Sequence, residues 1–237
     1  MNRLRLRGCW DEVIALLSEG AQHNAADAVE LAATMVERSS FTAMNWSVAE
    51  EAVEQAERLA KGNNQLTGAI ASERAYLCYL LTRLGLADRG DEAKRAIRLA
   101  DEALPVNSPR RRLLLFRQGL IIQYLDDDGE AAAELYRAAQ IAAEATGDRL
   151  LLADVFRHLG AHAHGEGDVE AAATLLTDSL RLRMDCGFVV GLAPIMVALA
   201  DVSPPERAAQ LRDEAARWHA ALGGVPAWLA DEFETVR

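Results

Sequence analysis

Lysine is nearly missing from this sequence: Lys61 and Lys94 are the only two among 25 basic residues, and 36 acidic residues leave a formal charge of −11. That balance argues against a general nucleic-acid binder, which needs clustered cations to neutralise phosphates. The one dense basic run is Arg110-Arg111-Arg112. Arginine in place of lysine, beside abundant alanine, fits a GC-rich coding bias and says little about function. Aromatic residues are also scarce, at 5%. The core must then be built from Ala, Leu, Ile and Val, and so many small helix formers favour close-packed helices over a β-sandwich.

Cysteine is limited to Cys9, Cys78 and Cys186. An odd number at wide spacing implies no disulfide framework and fits a reducing cytoplasm. No apolar run reaches bilayer length. The longest, "FVVGLAPIMVALA" from Phe188 to Ala200, is interrupted by Gly191 and Pro194 and reads as a buried helix. The start, "MNRLRLRGCWDEV", is basic but is followed by no apolar segment, so no signal peptide is expected. Disorder is excluded by a hydrophobic content of 51%.

What the chain does contain is helical periodicity, cut by short Gly, Asp, Asn or Pro breaks. In "ERAAQLRDEAARWHAAL", Ala208, Leu211, Ala215, Trp218 and Leu222 share one face. No alternating run makes a credible strand. The breaks recur: Gly90-Asp91, Gly129-Glu130 and Gly167-Asp168 are 39 and 38 residues apart, and Ser203-Pro204-Pro205-Glu206 falls at the next expected place. The spacing predicts helix pairs 65–84 with 90–104, 110–126 with 129–146, 149–165 with 168–185, and 189–202 with 204–222. A looser pair, 24–38 with 47–61, precedes them, after a short helix near 10–19. Such a period signals a solenoid.

One repeat carries a family pattern. Leu159-Gly160, Gly167-Asp168, Ala172, Leu176 and Ser179-Leu180 stand at the spacing of a tetratricopeptide repeat, which this segment resembles. Gly160 would let two helices approach closely, Gly167 would take a turn conformation costly for other residues, and Asp168 would cap the next helix. Ala96 and Ala103-Leu104 fit the pattern as well, while Leu84-Gly85 is out of register by one. The period exceeds the roughly 34 residues of the standard repeat. Residues 65–237 are similar to the C-terminal repeat regions of actinobacterial LuxR-type and antibiotic-regulatory signalling ATPases, with "LLTDSLRLRMDCG" and "ERAAQLRDEAARWHAALGGVPAWLADEFE" resembling their terminal repeats. The ATPase and DNA-binding modules of those regulators are missing, as is any G-x-x-x-x-G-K-[ST] loop.

The expected architecture is therefore all-α: a single right-handed α-solenoid of antiparallel hairpins over 1–237. Divergent N-terminal helices fill 1–62, TPR-like repeats 63–224, and a capping helix 225–237 with Trp228 and Leu229. The resemblance implies a non-enzymatic scaffold, without cofactor, that binds a peptide, a protein or a small signal in its concave groove, in bacterial signalling or transcriptional regulation. No nucleic-acid or membrane partner is expected; self-association through the end repeats is a further option.

Arg74, Arg117 and Arg157, 43 and 40 residues apart on successive first helices, are the candidate groove residues, with His158 beside them. Lined up as a ladder they would grip an acidic partner through bidentate bonds, more strongly at low pH if His158 is protonated. The alternative is that they pair with acidic residues of neighbouring repeats, such as Glu73 or Asp154. A metal-dependent or enzymatic protein using His158, His162 and His164 is the competing function, since His158 and His162 are one helical turn apart. No H-E-x-x-H pattern supports it. "DDDGEAAAELYR" has the first spacings of a calcium loop, at Asp126, Asp128 and Glu130, but Arg137 stands where that loop needs Glu. Cys78, on an apolar face, reads as inert, and the scattered tryptophans as packing residues.

Overall fold

Short polar side chains set where the helices of this protein begin. Asn24 accepts the N–H groups of Ala26 and Asp27, and Asn63 that of Leu66. Asp128, Asp148 and Asp168 accept those of Ala131, Leu151 and Ala171 at 2.9, 3.2 and 3.0 Å. Each satisfies a donor that has no partner inside its own helix. The computed structural model describes residues 1–222 and, among them, shows twelve α-helices and no strand. They are α1 (Asn2–Arg5), α2 (Trp10–Ser18), α3 (Ala25–Thr42), α4 (Trp46–Ala60), α5 (Asn64–Arg83), α6 (Gly90–Ala103), α7 (Arg111–Leu125), α8 (Gly129–Thr146), α9 (Arg149–Gly165), α10 (Val169–Cys186), α11 (Leu192–Asp201) and α12 (Pro205–Leu222). The expected capping helix at 225–237 lies outside the described residues.

The helices pair as the spacing predicts: α3 with α4, α5 with α6, α7 with α8, α9 with α10, and α11 with α12. Every pair also packs on the next, through α3 and α4 on α5, α6 on α7, α8 on α9, and α10 on α11. Two features differ from the periodicity. The short α1 has no counterpart in the periodicity. At Val189 the chain makes one 3₁₀ turn before α11, which starts only at Leu192 and carries Pro194 in its first turn, where the missing N–H costs nothing. Among the described residues, no helix is long and apolar enough to cross a membrane.

The turns also show which residues truly correspond. Gly167 takes a left-handed conformation (φ 83°) just before the Asp168 cap. At the equivalent break that place belongs to Asp127 (φ 56°) before the Asp128 cap, and Gly129 is the first helical residue.

The packed faces rest on small residues. A Cβ built on Gly160 would lie 2.9 Å from Leu176 Cγ, and one on Gly119 2.5 Å from Tyr136 Cε1. Both glycines therefore let a bulky second-helix side chain sit against a first helix. Their separation gives a structural register of 41 residues between the third and fourth pairs. Tyr136 and Leu176 are about 1% exposed, and burying side chains of this size contributes about 1.5–3 kcal/mol each. One continuous core spans α2 to α9, a second joins α10 to α12, and a third, smaller one sets Trp10 against Phe188 and Val190. Ala208, Leu211 and Ala215 are buried on the predicted face of α12.

Candidate partner-binding surface

The 41-residue register decides the fate of the arginine ladder. Between the third and fourth pairs, the residue equivalent to Arg117 is His158 on α9, not Arg157. One residue of offset turns a side chain by about 100° around its helix. The contacts of the three arginines differ accordingly.

Arg117 stays between first helices. Its Nη1 and Nη2 donate to the two carboxylate oxygens of Glu73 on α5 at 2.9 and 2.8 Å, and Nη1 also to Ser72 Oγ at 2.8 Å. Its guanidinium lies 4.9 Å from the centre of the Tyr76 ring. Both charged side chains are buried. Arg74 turns instead toward the second helices, donating to both oxygens of Glu57 on α4 at 2.9 and 2.6 Å and approaching Glu50 and Glu92 at 3.7 Å. Arg157 lies 3.3 Å from His158 through Nη1 and acts on the half-buried Asp154 carboxyl, which Arg183 binds at 2.6 Å. Arg74 and Arg117 thus hold neighbouring repeats together, and the aligned cationic ladder is not formed.

His158 also departs from its expected place. It is 7% exposed, with its ring 5.2 Å from Tyr136 and 5.3 Å from Phe116. Tyr124 closes the same nest at 6.3 Å, and its ring leads through Tyr79 to Tyr76. All four tyrosines of the chain belong to this line across α5, α7 and α8. Burial, aided by Arg157 and Arg183, pushes the His158 imidazole well below its ordinary pKa. Its proton is thus disfavoured where low-pH binding would require it. His162 keeps to Glu166, 3.5 Å away, and His164 is exposed. Among the described residues, no three His, Cys, Asp or Glu side chains converge as a metal site would need.

Other chemistry-bearing residues are engaged locally. Burial and then Glu92 push the Cys78 thiol up to about 12, far from a reactive thiolate. Asp126 pairs with Lys94, and Asp128 caps α8. A cleft where α5 ends and α6 begins contains Arg89 and Lys94, but Arg89 is bound to Glu50 and Glu92.

The contact that sequence reasoning missed involves the N-terminus. Residues 4–10 connect α3 to the segment between α10 and α11. The Val189 N–H donates to the Leu6 carbonyl at 3.0 Å. Arg5 Nε donates to Glu37 at 2.8 Å, and Arg5 also lies 3.7 Å from Glu30. The other Glu37 oxygen accepts from the Trp10 indole at 3.3 Å. Trp10 stacks on Phe41 (centroids 5.8 Å apart), and Phe41 meets the edge of Phe188 at 5.9 Å. Gly8 is left-handed (φ 76°), and a Cβ there would lie 2.9 Å from Val190.

No family model matches this chain, and no curated protein matches it. Among solved structures, BtubC (BKLC) from P. vanneervenii is similar over 94% of this chain and 93% of its own, with a TM-score of 0.60 and 19% identity. At that identity the likeness concerns the fold alone.

Proposed function

We propose that this chain is a right-handed, TPR-like α-solenoid. Its role in the cytoplasm is that of a non-enzymatic scaffold, which binds a peptide or protein partner along its first helices in bacterial signalling or transcriptional regulation. The observation that carries this reading is the row of five consecutive pairs, each packed on the next. In such a row the first helices α3, α5, α7, α9 and α11 form an extended surface, the usual resource of repeat scaffolds. The end-to-end likeness to BtubC supports the architecture. The test is capture of partners from the native cytoplasm with the full chain, followed by cross-linking. Cross-links on α3, α5, α7 or α9 are expected. Cross-links confined to α4, α6, α8 and α10, or no captured protein, would reject the reading.

A further inference from the structure

We infer that residues 3–8 are an intramolecular occupant of the partner-binding surface, and that the partner which displaces them is a short basic segment in which arginine alternates with aliphatic residues. This rests on the scaffold reading above and names the partner class for it.

The surface beneath the segment has a definite chemistry. On α3, Glu37 binds Arg5, and Glu30, which Arg110 holds at 2.5 Å through its other oxygen, lies 3.7 Å from Arg5. Val189 begins a 3₁₀ turn, so its N–H has no acceptor within that turn, and it takes the Leu6 carbonyl instead. Leu6 packs against the cluster of Trp10, Phe188 and Val190. A carboxylate pair, one backbone donor and an apolar floor suit an arginine followed by an aliphatic residue. The run Arg3-Leu4-Arg5-Leu6-Arg7 is a resident example.

The segment is built to be displaced. α1 has four residues, too few to be stable alone. Leu4, Arg5 and Leu6 are only half-buried, and Arg3 and Arg7 are exposed. Few buried contacts mean a low free energy of local opening. Gly8 supplies the pivot, and Trp10 beyond it stays anchored at the start of α2, 8% exposed. A segment closed most of the time lowers the apparent affinity for any competitor by the fraction of chains that are open.

The test uses the full chain and a labelled peptide, MNRLRLRG. Arg5→Glu sets a carboxylate against Glu37 and Glu30 and should release the resident segment. The peptide should bind this variant at least about tenfold more tightly than the parent. Adding Glu37→Gln should abolish that binding, and a peptide with glutamate at each arginine should not bind. Equal binding to parent and variant, no binding to a variant whose circular dichroism is intact, or equal binding of the acidic peptide would overturn the proposal. If Arg5→Glu fails to fold, hydrogen exchange on the parent decides. Saturating peptide should speed exchange of the amides of residues 4–7, while the Val189 amide stays protected by the carbonyl of the bound peptide and α5–α8 are unchanged; no change at residues 4–7 overturns it. The scaffold reading falls separately, when the parent captures no partner.

Discussion

Arg117 and Glu73 face each other across α7 and α5 through two parallel bonds of 2.9 and 2.8 Å, with both side chains out of solvent. A buried pair of this kind is costly to break and cheap to replace, because the penalty falls on the charge left alone. Arg117→Met and Glu73→Leu should each destabilise by about 3–5 kcal/mol in urea unfolding. The double variant Arg117→Met, Glu73→Leu should recover most of that loss. A double variant that simply adds the two penalties would show that the pair is not coupled.

The glycine contacts set a second expectation. A methyl on Gly119 would strike the Tyr136 ring, which is fully buried and tied by its hydroxyl to Gln123 at 2.6 Å. Overpacking costs about 1–3 kcal/mol, against a helix-propensity gain of about 1 kcal/mol for Gly→Ala. Gly119→Ala should therefore lower the melting temperature. Gly160→Ala should lower it less, since Leu176 has more rotamer freedom than a ring, while Gly160→Leu should be clearly destabilising. A thermal scan of the three variants gives the order.

Stability should depend on pH through His158. Its charged form is disfavoured in the fold by burial and by Arg157 and Arg183, with Phe116, Tyr124 and Tyr136 around the ring. In the unfolded chain the imidazole titrates near its ordinary value of about 6.5. Below that pH the unfolded state takes up a proton that the folded state refuses. Stability is thus lost as pH falls from about 6.5 toward the depressed folded value, with a slope approaching 1.4 kcal/mol per pH unit, about one proton's worth. His158→Phe should flatten the slope between about pH 6.5 and 5 in denaturant titrations. An unchanged slope would place the effect elsewhere.

The aspartate caps are separable. Asp168→Ala removes the acceptor for the Ala171 N–H and should cost about 1 kcal/mol. Asp168→Asn should retain most of the cap. If both lose the same amount, the carboxylate charge rather than the hydrogen bond matters.

Much of the chain's local structure was legible before any coordinates. The pairing of helices, the left-handed Gly167, the Asp168 cap and the close approach at Gly160 all follow from residues within one hairpin, where spacing along the chain fixes spacing in space. Of the three break glycines only Gly167 takes the left-handed turn; Gly90 and Gly129 begin their helices, and Asp127 takes that turn before α8, because aspartate tolerates the conformation.

Sequence alone determined that these residues form paired helices with small residues at their crossings, since periodicity, caps and turn residues act over a few positions. Tertiary structure decided everything that depends on rotation about a helix or on distance along the chain. Spacings of 43 and 40 looked like one register, but the 41 residues between Gly119 and Gly160 put His158, not Arg157, in line with Arg117, and Arg74 binds Glu57 on α4 instead. Glu73 lies 44 residues before its partner, and Leu6 meets Val189 from the far end of the chain. The first contact needs two adjacent pairs packed together and the second sets the N-terminal segment beside the link between α10 and α11, and no local pattern encodes either.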